Sequence, residues 1–214
     1  MQEELSNIKQ IGNNKYFSME TEDGKTLLVD SRIRHFSKLL HHIIEDYQVG
    51  SDISKLRGVI SEDIKVITDF CDAIDYNYNL QILPRPLPLD FIPNLNDMLE
   101  AHPKLKLYYS KLNSFSIYNH ARIADFFDVN LLEDILYLKL HEAFSSRESI
   151  ESFFKEECEE NNTNINKVTS INKERENFLK DKYMIYCEKY ISQLSDEDVE
   201  KYLVKELENK IING

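Results

Sequence analysis

The chain has 214 residues, of which 42% are hydrophobic, and a formal net charge of −12 at pH 7. This length allows one domain or two small ones, and the apolar content is sufficient for an ordinary folded core. A strongly acidic protein repels the phosphates of nucleic acids, so the charge argues against a nucleic-acid partner and favours basic protein surfaces. The five glycines are scattered, which excludes a glycine-rich phosphate loop.

No targeting or membrane segment is recognisable in the sequence. The first ten residues, MQEELSNIKQ, lack the positive flank and apolar centre of a signal peptide, and no run of about 18 apolar residues occurs. The three cysteines, Cys71, Cys158 and Cys187, are odd in number and far apart, which is typical of reduced thiols. We therefore expect a protein of the cytoplasm or the nucleus, without a membrane partner.

The first part of the chain predicts a small sheet with a helix on it. Residues 1–15 are polar and rich in asparagine, and we expect them to be a flexible lead-in. Residues 16–30 predict two strands around an Asp23-Gly24 turn. A helix is expected over 32–47, where apolar residues recur every three or four positions. The inward residues of the hairpin are predicted to be Phe17, Met19, Leu27 and Val29.

A third strand ending near Ile60 and a helix over 63–76 are predicted next. Cys71 falls on the apolar side of that helix, so we interpret it as a core residue rather than a reactive thiol. Helical periodicity fails over 76–111, where prolines 84, 86, 88 and 93 favour an extended course along the domain rather than a ligand for an aromatic groove. One or two short helices are expected within 94–110.

Residues 116–154 predict three consecutive helices. The first closes at Phe127, before Asp128-Val129-Asn130 interrupts the period. The apolar face of the second helix is too wide for a surface helix, so it must be covered on more than one side. The third helix is expected after a serine cap at Ser145 or Ser146 and carries apolar residues as far as Phe154.

The C-terminal part predicts two more amphipathic helices after a polar, acidic loop. A long helix is expected to begin at Ser170, with Ile185 among its apolar residues, and a final helix at Ser195. Burying one leucine is worth roughly 2 kcal/mol, so these apolar stripes need a partner surface. That surface belongs to the same chain, to a second copy or to another protein.

The residues that commonly carry chemistry form no catalytic or metal-binding motif. Of the six histidines, His41 and His42 are adjacent, so on a helix they point about 100° apart and cannot chelate together. No G-x-S-x-G or comparable nucleophile motif occurs. We therefore expect a protein that is not an enzyme and has no catalytic residue, no metal and no cofactor.

The order of these predicted elements resembles the BTB/POZ fold, and more narrowly the SKP adaptors of Skp-cullin-F-box (SCF) ubiquitin ligases, with elongin C as the related alternative. The longest matching segment, A-D-F-F-D-V-N-L-L at 124–132, is similar to the family's A-N-Y-L-D-I-x-x-L-L. S-R-E-S-I-E-S-F-F at 146–154 is similar to T-P-E-E-I-R-x-x-F. The other matching segments are E-D-G-K-T-L-L-V-D at 22–30, I-I-E-D at 43–46 and F-C at 70–71.

The resemblance implies an α+β fold, in which a BTB/POZ-like sheet of about three strands is flanked by helices and followed by a C-terminal helical extension. The BTB/POZ-like domain would occupy residues 16–130, with a proline-rich insertion at 76–111. An F-box-binding-like extension would occupy residues 131–214.

The implied function is that of a non-catalytic adaptor that bridges a cullin to an F-box substrate receptor in ubiquitin-dependent protein breakdown. The matching positions assign cullin binding to Asp125 and Phe126, which stand where the family has Asn and Tyr. The residues that would line or support the F-box surface are Leu132, Ile135, Leu136, Ile150, Phe153 and Phe154.

Two other functions are weighed beside this one. The first is a BTB-type interaction module outside ubiquitin ligation, which forms a homodimer through its hydrophobic helices. The second, which is the least favoured, is an enzyme whose site is assembled from distant parts of the chain. A polar pocket with convergent titratable groups would favour the enzyme.

Overall fold

The computed structural model describes residues 8–11, 14–48, 56–80, 92–144, 153 and 165–191. Over these residues the protein is α+β, with seven α-helices and one small antiparallel sheet. The predicted α+β class is confirmed at this level. Buried apolar side chains of the sheet and of the helices form a single cluster, so the two kinds of element share one core.

The sheet has three strands, β1 (Ile8–Ile11), β2 (Asn14–Glu20) and β3 (Thr26–Asp30), with β2 in the middle. Phe17 of β2 pairs with Val29 of β3, and both side chains are 1% exposed. Met19 lies on the same inward face because side chains two residues apart in a strand point the same way. The predicted hairpin is confirmed, and Leu27 packs partly buried against the core.

Two predictions about the sheet are wrong. Ile8–Ile11, within the lead-in expected to be flexible, form an edge strand on β2. Strand pairing uses backbone groups, which a polar segment supplies as well as an apolar one. Residues 56–60, the described end of the third strand predicted from sequence, form a turn in which Gly58 has a φ of 75°. Backbone hydrogen bonds from Leu56 to Glu20 (3.1 Å) and from Glu22 to Val59 (2.8 Å) fasten this turn to the hairpin.

The helix predicted over 32–47 is divided in two. A 3-10 helix, Ser31–His35, is capped by the Asp30 carboxylate, which accepts a hydrogen bond from the Arg32 N–H (2.9 Å). Helix α1, Lys38–Gln48, then begins afresh after Ser37. The Ser37 hydroxyl explains the restart, since its oxygen accepts from the Leu40 N–H (3.1 Å) as an N-cap does.

Three helices follow, α2 (Ser61–Ala73), α3 (Ile92–Ala101) and α4 (Pro103–Ser110). α2 confirms the second predicted helix and buries Phe70 and Cys71 on its inner side. α3 and α4 confirm the short helices expected within 94–110, and Pro103 opens α4 at a position where its missing N–H costs nothing. The extended course predicted for prolines 84, 86 and 88 lies outside the described residues.

The next two helices are α5 (Ser114–Phe127) and α6 (Asn130–Ala143). Asn113 caps α5 by accepting a hydrogen bond from the Ser116 N–H (2.9 Å). The predicted break between the helices is confirmed, and Asp128 takes a left-handed conformation there, with φ 52°. The third helix predicted up to Phe154 lies outside the described residues, apart from Phe153.

The last described helix, α7 (Ile165–Ile191), begins five residues before Ser170 and packs on both α5 and α6. It runs parallel to α5, since Phe178 contacts Tyr118 and Lys182 pairs with Asp125 further along. The helix predicted from Ser195 lies outside the described residues. Within the described part of the chain, no helix combines the length and apolarity that a membrane crossing requires.

Candidate functional site

The two residues assigned to a cullin lie together at the carboxyl-terminal end of α5, and both are exposed. The Phe126 side chain is 54% exposed, while the next residue, Phe127, is buried and meets the Phe126 ring edge-on at 5.0 Å. Asp125 forms an ion pair with Lys182 of α7. The end of α5 therefore presents an aromatic ring beside a carboxylate that is held by a neighbouring helix.

The described residues assigned to an F-box protein do not form an exposed surface. Leu132, Ile135 and Leu136 have no exposed area, because α5 and α7 pack against α6. In this structure they can support a partner surface but cannot line one. Phe153 is partly buried, and Ile150 and Phe154 lie outside the described residues.

An aromatic cluster fills the space between α6 and α7. Tyr183 of α7 lies at its centre, with its hydroxyl 2.9 Å from His141 Nδ1 and its ring stacked on that of Tyr137 at 6.0 Å. Burial lowers the pKa of His141, so its hydrogen bond to Tyr183 involves the neutral imidazole. The members of the aromatic cluster are Tyr137, His141, Phe144, Phe153, Tyr183 and Tyr186.

The wide apolar face predicted for the helix after the break is therefore covered by a helix of the same chain. Leu179 and Tyr186 of α7 are buried at 0% and 2% exposure. Beyond this apolar contact, Lys189 of α7 pairs with Glu133 of α6 and lies 3.3 Å from the amide oxygen of Asn130. Ion pairs at a protein surface typically contribute about 0–1 kcal/mol, so the buried side chains contribute most to holding α7 in place.

A second candidate site is an open cleft of about 850 Å³ between α2, α4 and α5. Asp69 and Asp72, three residues apart on α2, form an acidic rim together with Asp75, which lies two residues past the end of that helix. Two lysines also line the cleft, Lys104, which pairs with Asp75, and Lys111. The remaining lining residues are Arg32, Ala73, Tyr76, Leu107, Tyr108, Leu112, Ser116 and His120.

The most buried polar contact in the cleft joins Tyr108 and His120, whose hydroxyl oxygen and Nδ1 are 3.1 Å apart. Burial lowers the pKa of His120 to about 4, so the imidazole is neutral at pH 7. Ser116, the serine of the cleft, donates its hydroxyl to the Asn113 carbonyl (3.0 Å) as part of the α5 cap. An activated nucleophile needs a base hydrogen-bonded to it, whereas His120 bonds to a tyrosine. The cleft therefore presents charged groups, aromatic rings and hydrogen-bonding groups, which can bind a ligand.

The cleft was not predicted from the sequence. The spacing of Asp69 and Asp72 was a usable signal, since residues three apart lie on one face of a helix. The pairing of Tyr108 with His120 left no such signal, because it depends on how α4 packs against α5. Within the described ranges, no group of three or more metal-ligating side chains is close enough to hold an ion. Cys71 is buried, and burial raises the pKa of its thiol.

The chain matches no protein-family model, no curated protein and no solved structure. The resemblance to SKP adaptors therefore stays a prediction. Function has to be inferred from the residues and their geometry.

Proposed function

We propose that this chain is a non-catalytic adaptor of an SCF-type ubiquitin ligase, which binds a cullin through the end of α5 and an F-box protein through the α6–α7 unit. The observation that carries the proposal is the exposure of Phe126, at the position where the sequence resemblance puts the cullin contact. Large aromatic side chains that dock into a partner pocket are frequent hot spots of protein interfaces.

The surroundings of Phe126 favour a docking role. The ring stands on a helix whose inner side is anchored by Ala124 and Phe127, at 0% and 1% exposure, so its backbone position is fixed. A rigid aromatic side chain loses little conformational entropy on binding. Asp125 adds a charged rim next to the ring, and its ion pair with Lys182 links the docking residue to α7.

An adaptor needs its two partner surfaces to be on one rigid body. The break at Asp128 and Val129 joins α5 directly to α6, and Val129 is fully buried. Leu132, Ile135 and Leu136 then serve as the core under the F-box side. We assign the F-box contact itself to the outer side of α7, where Met184 and Ile185 are 58% and 52% exposed.

Binding of the full chain to a cullin amino-terminal domain tests the proposal. We expect Phe126→Ala to weaken that binding at least tenfold without lowering the melting temperature. Leu107→Ala is the matched control, because Leu107 is 57% exposed on a different helix. The proposal is overturned if the unaltered chain recovers neither a cullin nor an F-box protein from cells, or if the two variants weaken cullin binding equally.

A self-associating interaction module is the second candidate, and the outer side of α7 favours it. Met184 and Ile185 are adjacent exposed apolar residues, and a second copy of the chain would cover them as well as an F-box protein would. Sedimentation of the full chain separates the two functions. A dimer at micromolar concentration that Ile185→Asp dissociates favours the module, while a monomer argues against it.

A further inference from the structure

We propose that the cleft between α2, α4 and α5 binds a short basic peptide segment of a partner protein. The acidic rim would hold the basic side chains, and the apolar floor would receive a hydrophobic side chain of the same peptide. This site is separate from the end of α5. Ser116 and Phe126 are ten residues apart on that helix, or about 15 Å at a rise of 1.5 Å per residue.

The floor of the cleft supports the apolar part of this inference. Leu107 is 57% exposed, although its neighbours in the cleft, Leu112 and Ala73, are buried at 6% and 8% exposure. A partner side chain laid over Leu107 would remove apolar surface of both molecules from water, which is favourable. The volume of about 850 Å³ is in the range of clefts that enclose ligands.

Asp69 and Asp72 favour a basic occupant, because two of the three cations that line the cleft, Arg32 and Lys104, are already paired with Asp30 and Asp75. Asp75 is paired with Lys104 at 2.5 Å, whereas Asp69 and Asp72 form no ion pair with any described residue. Partial desolvation raises the pKa of Asp69; the positive charge of Lys65 opposes this rise, and the negative charge of Asp72 adds to it. A cation placed between these two carboxylates would relieve both effects. The net charge of −12 attracts a basic partner over a longer range.

The spacing of the groups suits an extended peptide. Asp69 and Asp72 are separated by about 4.5 Å along the axis of α2, and Asp75 lies just past the end of that helix. Side chains at alternate positions of an extended chain point the same way and are about 6.6 Å apart, so flexible lysines at positions i and i+2 can reach this row. The Tyr108–His120 pair and Lys111 remain available for the peptide backbone or for an acidic side chain.

The probe for this site is an acetylated and amidated hexapeptide of alternating leucine and lysine, with a leucine and glutamate hexapeptide as its charge-reversed counterpart. Its binding to the full chain is followed by amide chemical shifts at 150 mM salt. We expect the lysine peptide to shift residues of α2 and α4 selectively, and the glutamate peptide to shift none of them.

Matched variants separate a site from general attraction to an acidic protein. Asp69→Asn with Asp72→Asn should weaken binding of the lysine peptide at least tenfold. The control double variant, Asp97→Asn with Glu188→Gln, changes the net charge by the same amount at exposed positions outside the cleft. It should change binding of the lysine peptide less than twofold. Leu107→Ala should also weaken binding, while Phe126→Ala should not. A melting curve of each variant verifies that it is folded.

The inference is overturned by three results: no binding of the lysine peptide at millimolar concentration, shifts spread over the whole surface, or equal loss in the two double variants. Its outcome is independent of the adaptor proposal, because cullin binding is expected to survive Leu107→Ala. A chain that binds the peptide but no cullin would keep the cleft site and lose the adaptor.

Discussion

The carboxylate of Asp23, in the turn of the hairpin, caps helix α2 through Ser61. Its Oδ1 accepts a hydrogen bond from the Ser61 N–H (2.9 Å), and its Oδ2 accepts one from the Ser61 hydroxyl (2.7 Å). Hydrogen bonds from Thr21 and then from Ser61 hold the pKa of Asp23 well below its ordinary value of 3.8. One side chain thus ties the start of α2 to the turn of the hairpin.

We predict that Ser61→Ala lowers the free energy of unfolding by about 1 kcal/mol, since it removes hydrogen bonds of a hydroxyl that is 8% exposed. Asp23→Ala should cost more than Ser61→Ala, because the bonds from Thr21 and from the Ser61 backbone are also lost. Urea denaturation of both single variants and the double variant measures this. Strict additivity would contradict the coupling that the geometry predicts.

The orientation of α7 can be tested with two alanine variants. Leu179 has no exposed area, so Leu179→Ala should lower the free energy of unfolding by about 2–5 kcal/mol. Ile185 is 52% exposed, so Ile185→Ala should change it by about 0.5 kcal/mol or less. Chemical denaturation followed by circular dichroism measures both changes. Equal losses would mean that α7 turns a different face to α5 and α6.

The buried histidine of the cleft should make the protein less stable in mild acid. Its pKa is lowered from 6.5 to about 4, so the unfolded chain binds the proton more readily and stability falls as the pH drops below 6.5. Between pH 7.5 and pH 5 this group alone should cost about 2 kcal/mol. Denaturant midpoints across that range measure the effect.

His120→Gln should therefore flatten the pH dependence between pH 7.5 and pH 5. A smaller slope should remain, because burial also lowers the pKa values of His35 and His141. The exposed His42 supplies the control, since His42→Gln removes a histidine without touching the cleft. An unchanged slope in the His120→Gln variant would contradict the burial of this imidazole.

Helices with a regular apolar period could be predicted from the sequence, and this includes the break at Asp128. The period marks the buried side of α2 and α5, while the wider apolar face of α6 marks a helix that is covered on more than one side. The edge strand Ile8–Ile11 could not be predicted, because its pairing is made by backbone groups. Ile185 belongs to the predicted apolar stripe but is 52% exposed, because α7 carries more apolar residues than its contact with α5 and α6 buries.

The candidate surfaces were predictable only in part. The sequence placed Asp125 and Phe126 next to each other, but their exposure depends on α7, which pairs with Asp125 and leaves Phe126 uncovered. A protein core and a docking surface are both apolar, so the sequence suits Leu132, Ile135 and Leu136 equally to either one. Their burial follows from the packing of α7, and the spacing of residues along one helix carries no information about its neighbours.

The hydroxyl of Ser37, at the start of α1, donates a hydrogen bond to the carbonyl of Phe127 at 2.6 Å, across 90 residues of sequence. During synthesis at about 5–20 residues per second, roughly 5–20 s pass before the second residue follows the first out of the ribosome. Until then α1 has no α5 to pack against. The core of the amino-terminal half is therefore completed only after α5 has been synthesised.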